Sequence, residues 1–154
     1  MTIRIAMWSG PRNISTAMMR AFENRPDTVV VDEPLYGHYL ATTGKAHPAA
    51  DEVMRAQSTD WRDVAAQLGP TTPVAADVFY QKHMAHHICG DMTLTWTDPL
   101  QHGFLLRDPA AMLTSLSRVL DEVRLEDTGL EQQVRLYRHL RAQGRTPPVI
   151  DSRD

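Results

Sequence analysis

The chain has 154 residues, 42% of them apolar and 23% charged, which suits one folded domain spanning residues 1–154 and disfavours disorder. A net charge of −3 argues against a general nucleic-acid binder, and the lone cysteine, Cys89, excludes an internal disulfide or a cysteine zinc cluster. The opening MTIRIAMW is too short for a signal peptide and no run of roughly 18 apolar residues occurs, so a soluble cytoplasmic protein without a membrane segment is expected.

Ile3–Trp8 is a short apolar run, read as a buried strand, and Gly10-Pro11 breaks it. Ile14, Ala17, Met18, Ala21 and Phe22 then recur at helical spacing, with Asn13 as the expected N-cap. Thr28–Asp32 is β-branched and apolar, hence a second buried strand. Pro34–Ser58 reads as a loop followed by a weak helix near Ala49–Gln57. Asp60 caps a helix carrying Trp61, Val64, Ala65 and Leu68, which Gly69-Pro70 ends. Pro73–Phe79 reads as a third strand, Lys82–Ile88 as one or two helical turns, and His102–Leu106 as a fourth strand. Asp108-Pro109 starts a helix whose stripe is Met112, Leu113, Leu116, Leu120 and Val123. Thr128–Glu131 resembles a capping box for a helix carrying Leu130, Val134, Tyr137 and Leu140, and Pro148–Ile150 begins a fifth strand. Alternation of this kind predicts an α/β fold: three layers, a parallel sheet with helices on both faces.

In such sheets ligands bind beyond the carboxyl ends of the strands. Four segments with chemistry fall there. Ser9–Thr16 (SGPRNIST) joins a strand to a helix, whose free amides and partial positive charge suit a phosphate. Arg12 adds a planar, permanent cation, and Ser15 and Thr16 add hydroxyls. The Walker pattern needs a lysine that this loop lacks, which disfavours a kinase or ATPase. Glu33, at the end of the second strand, suits a general base. Lys82 and His83 follow the third strand and suit anion binding or proton transfer. On one helix face His83, His86 and His87 would be spaced for a metal, but no H-E-x-x-H pattern or suitably spaced carboxylate accompanies them, so no metal is expected. Arg107 closes the fourth strand, and Ser115, two turns into the next helix, tilts back toward it.

Together, Pro11-Arg12-Asn13-Ile14-Ser15-Thr16 and Arg107-x-Pro109-x-x-x-x-x-Ser115 resemble the two cofactor motifs of sulfotransferases that use 3′-phosphoadenosine 5′-phosphosulfate (PAPS). The first motif usually reads P-[KR]-S-G-T-T; here Asn13 replaces the serine and Ile14 the glycine. The resemblance implies a P-loop-kinase-like fold with a five-stranded parallel sheet. It implies that Arg12, Asn13, Ile14, Ser15 and Thr16 hold the 5′-phosphosulfate, while Arg107 and Ser115 hold the 3′-phosphate. It also implies a Glu or His base, for which Glu33 ranks above His83, with Lys82 offsetting charge. The reaction would move a sulfuryl group to a hydroxyl or amine of a small-molecule acceptor. Members of this family usually carry further C-terminal helices, so this chain is expected to lack them. The rival readings are another nucleotide-dependent transferase on the same fold, and a non-catalytic nucleotide-binding or oligomerising module that pairs with its own copies through an uncovered fifth strand.

Overall fold

The protein is described by a computed structural model covering residues 1–153. Five strands, β1 (Ile3–Ser9), β2 (Thr28–Asp32), β3 (Val78–Met84), β4 (Gln101–Leu106) and β5 (Val149–Asp151), form one sheet in the order β2-β3-β1-β4-β5. Every pairing is parallel. The helices are α1 (Ser15–Glu23), α2 (Tyr36–Thr43), α3 (Ala50–Ala56), α4 (Trp61–Leu68), α5 (Pro109–Leu116), α6 (Leu125–Thr128) and α7 (Leu130–Ala142).

The period-two geometry of a strand sorts β1 onto two cores. Ala6 and Trp8 join one cluster with Trp61 and Val64 of α4 and Leu136 and Leu140 of α7. Ile5 and Met7 join the other, with Met18, Met19 and Phe22 of α1. The sheet is therefore covered on both faces, as the alternation predicts. Burying a side chain such as Leu136 or Leu140 in full contributes roughly 1.5–3 kcal/mol, so the α7 stripe alone does much to hold that layer.

Several boundaries depart from the sequence reading. The third strand is Val78–Met84, not Pro73–Phe79, so Lys82 and His83 stand on a strand and not on a helical turn. Every residue of this strand is buried, and Gln81 and Lys82 find polar partners inside the fold. Gln81 Nε2 donates to the Leu68 carbonyl at 3.1 Å, and its Oε1 accepts from the His83 ring at 3.2 Å. Helix α2 occupies a stretch expected to be loop. It is tolerated because Gly37 lies close against Gln57, where an added Cβ would come within 3.0 Å of the Gln57 Cβ. Asn13 does not cap α1; Ile14 holds that position and no side chain caps the helix. Helix α5 stops at Leu116, short of Leu120 and Val123. At α7 the cap is Gly129 in the left-handed region (φ 68°), without a side-chain cap bond. A Cβ there would meet the His86 backbone nitrogen at 3.0 Å, so the α6–α7 junction presses on the turn after β3.

Candidate functional site

The carboxyl ends of β1 and β4 carry the first cluster. Arg12 Nε donates to Ser115 Oγ at 2.9 Å, and Arg107 Nη1 donates to the Arg12 carbonyl. Asn13 Nδ2 donates to the Leu105 carbonyl at 3.2 Å, and Asn13 Oδ1 accepts from the Ile14 amide at 2.7 Å. The asparagine thus pins the loop to β4, which explains a carboxamide at this position better than capping does. Among the described residues neither Arg12 nor Arg107 is paired with a carboxylate. The uncapped first turn of α1, with Ser15 and Thr16, opens beside them. Two guanidinium groups without a carboxylate partner among the described residues, hydroxyls and open helix amides form a donor set suited to phosphate-type oxygens. Gly10 is needed for this approach: a Cβ on it would lie 2.5 Å from the Thr128 carbonyl oxygen and 3.3 Å from Met112 Sδ.

A second cluster lies at the ends of β2 and β3. Lys82 Nζ, nearly inaccessible, donates to Asp32 Oδ1 and Glu33 Oε1, each at 2.7 Å. Burial pulls its pKa down, but the hydrogen bonds to Asp32 and Glu33 outweigh this and leave the ammonium more basic than an ordinary lysine. Arg12 and Glu33 both adopt positive φ, 58° and 47°, where side-chain-bearing residues are strained.

His83 stands apart from both clusters. Its ring is buried and stacked on Trp8 with centroids 4.2 Å apart. Burial, helped by nearby His102, pushes its pKa down to about 3. His86 and His87 lie on a 3-10 turn (Ala85–His87), so the three histidines share no helix face.

A cavity of about 480 Å³ opens between the clusters, bounded by Pro11 beside Arg12, Glu33, Tyr36, Tyr39, His86 and His87. Tyr36 and His87 stack with centroids 5.1 Å apart, and Tyr39 meets His86 edge-on at 5.1 Å. His83 does not line the cavity. The sequence reading expects Leu35–His47 to shape an acceptor pocket, which this lining bears out, but as a loop, because the stretch is rich in Gly, Thr and His. The spacing of Tyr36, Tyr39 and Leu40, one helix face at i, i+3 and i+4, was the available signal.

A five-stranded parallel sheet in this order, with arginines on the segments after the first and fourth strands, defines a P-loop-kinase-like α/β protein. Shikimate kinase from Bacteroides thetaiotaomicron shares this fold, with a TM-score of 0.52 and 10% identity over 97% of this chain and 86% of that one. The sulfotransferase domain family matches residues 3–154, and the chain belongs to that family. Two Arabidopsis thaliana proteins named branched-chain-amino-acid aminotransferase-like proteins 1 and 2 are 33% and 29% identical to it over 148 residues. That overlap is 96% of this chain, which spans only 26% of the length of either relative. Among the described residues no helix is long and apolar enough to cross a membrane.

Proposed function

We propose that this chain transfers the sulfuryl group of PAPS to a hydroxyl or amine of a small-molecule acceptor. One observation carries the reading: Arg12 after β1 and Arg107 and Ser115 after β4 converge beside an uncapped helix, with neither arginine ion-paired among the described residues. In this reading Arg12, Asn13, Ile14, Ser15 and Thr16 hold the 5′-phosphosulfate, and Arg107 with Ser115 holds the 3′-phosphate. The acceptor lies in the neighbouring cavity. Its hydroxyl oxygen or amine nitrogen attacks sulfur in line, the bond from sulfur to the donor's phosphate oxygen breaks, and Glu33 takes the acceptor proton. Glu33 lines the cavity, whereas His83 is sealed beneath Trp8, so the base is assigned to Glu33. Lys82 holds Glu33 in place and offsets charge as it develops. Positioning and electrostatics supply the acceleration.

Calorimetric titration with 3′-phosphoadenosine 5′-phosphate, with ATP as control, tests this. The expected result is tighter binding of the former, weakened roughly 10- to 100-fold by Arg107→Ala or Arg12→Ala through loss of charge-assisted hydrogen bonds. Equal or absent binding of both nucleotides sinks the reading. Val149, on the edge strand β5, is about half exposed (48%), which favours a second reading as an oligomerising nucleotide-binding module. Nucleotide binding with self-association and no sulfated acceptor would select it.

A further inference from the structure

Residues 44–49, between α2 and α3, are all exposed and contribute Lys45, Ala46 and His47 to one rim of the cavity. Among the described residues their backbone hydrogen bonds run only to α2 and α3. The Gly44 amide donates to the Leu40 carbonyl at 3.0 Å and the Lys45 amide to Thr43 Oγ1 at 3.4 Å, while the His47 and Ala49 carbonyls accept from Ala50 and Val53, each at 3.0 Å. No backbone group of the segment is tied to the sheet. Its two ends sit in the left-handed region, Gly44 at φ 62° and Ala49 at φ 64°, and open space lies where a Cβ on Gly44 would project. The opposite rim is anchored. Asp127 Oδ2 accepts from the Arg124 amide at 3.0 Å, the adjoining Thr128 is buried, and Gly129 presses on the turn after β3. Among the described residues one ion pair joins the two rims: Lys45 Nζ donates to Asp127 Oδ1, and the same ammonium lies 5.8 Å from the Tyr39 ring centroid. His47 meets the Tyr36 ring edge-on at 5.5 Å. Side-chain contacts, not backbone pairing, hold this segment over the cavity.

We propose that residues 44–49 are a strap that opens and closes the cavity mouth, with Lys45 and Asp127 as its latch. The lysine side chain is 39% exposed and the aspartate 11%. An ion pair of this kind shifts an equilibrium by about fivefold, enough to favour closure and weak enough to release. Salt screens it, so opening rises with ionic strength. Closure shields the wall around Glu33 from water and opening admits a ligand, whichever donor and acceptor the protein uses.

Lys45 and Lys82 are the only lysines of the chain, and Lys82 is buried in β3. A lysine-specific endoproteinase therefore reports on the strap, because it must draw the Lys45 side chain off Asp127 to cut the Lys45–Ala46 bond. Asp127→Asn keeps an oxygen for the Arg124 amide and should speed that cut about fivefold while the Lys82–His83 bond stays intact. The difference between the two proteins should vanish at about 1 M sodium chloride, where the screening length falls to about 3 Å. A thiol in the cavity measures access directly: Met84 lines it, so Met84→Cys in a Cys89→Ala background supplies one. Adding Lys45→Gln, which leaves the Asp127 rim untouched, should speed its reaction with N-ethylmaleimide by a similar factor. Equal cleavage rates, resistance at Lys45 in both proteins, or an unchanged thiol rate overturns the proposal. Cutting at Lys82 in step with Lys45 also overturns it, since that marks global unfolding and not an opening strap. These measurements need neither donor nor acceptor.

Discussion

Acid should destabilise this fold well above the range in which carboxylates titrate, and His102 offers the cleanest perturbation. The Trp8 indole N–H donates to His102 Nδ1 at 3.1 Å, while Nε2 donates to the Thr97 carbonyl at 2.9 Å. That network requires the neutral ring, and burial pushes its pKa down to about 4. His86 is likewise pushed down to about 4 and His83 to about 3, chiefly by burial. An unfolded chain protonates each near pH 6.5. Between those values the unfolded state binds more protons, so the stabilisation is complete above about pH 6.5 and is lost as pH falls toward 4. Integrated from neutrality to pH 5, each such histidine costs up to about 2 kcal/mol. Three of them amount to a large share of the ~5–15 kcal/mol that holds a typical domain together. Glutamine at position 102 can accept from Trp8 and donate to Thr97 without titrating. His102→Gln should therefore remove about 2 kcal/mol of the stability difference between about pH 7 and pH 5. Urea unfolding followed by tryptophan fluorescence measures this. A wild-type unfolding free energy that is flat from pH 7 to pH 5, or an unchanged pH dependence in His102→Gln, refutes the reasoning.

Three further outcomes are expected. Gly10→Ala places a methyl 2.5 Å from the Thr128 carbonyl, so it should lower stability by about 1–3 kcal/mol in thermal melts and weaken 3′-phosphoadenosine 5′-phosphate binding by displacing the loop. Glu33→Gln should reduce sulfated product by roughly 10²–10⁴-fold in a single-turnover assay while nucleotide affinity holds; full activity would remove Glu33 as the base. Arg4 is buried and donates to the Leu68 and Thr72 carbonyls, so Arg4→Met should cost about 1–3 kcal/mol in urea unfolding by stripping partners from both.

The layered architecture was legible because its signals are local. β-branched runs mark β2, and Asp60 and Asp108 cap α4 and α5 where a cap residue is expected, each accepting a backbone N–H at 2.9 Å. The convergence of Arg12, Arg107 and Ser115 was also foreseeable, since loops after neighbouring parallel strands meet at one edge. β3 was misplaced because Gln81, Lys82 and His83 look solvated in sequence. Only tertiary partners, namely Leu68, Asp32, Glu33 and Trp8, make a polar strand burial-competent. The far walls of the cavity, beyond Leu35–His47, were hidden for a similar reason. The cavity is built from α2, the turn after β3 and the α6 region, and their juxtaposition depends on close packing at Gly37 and Gly129 that no periodicity reveals.

The left-handed backbone of Arg12 and Glu33 sets a direction for how this protein can change. Each conformation costs a side-chain-bearing residue roughly 1–2 kcal/mol, a penalty that glycine escapes. At position 33 that relief is outweighed, because Glu33 is one of the two carboxylates that hold the nearly inaccessible Lys82 ammonium; at position 12 only an exposed bond to Ser115 opposes it. Selection for thermal tolerance alone would therefore press on position 12, the residue that the sulfuryl-transfer reading places at the phosphosulfate, and leave position 33 in place.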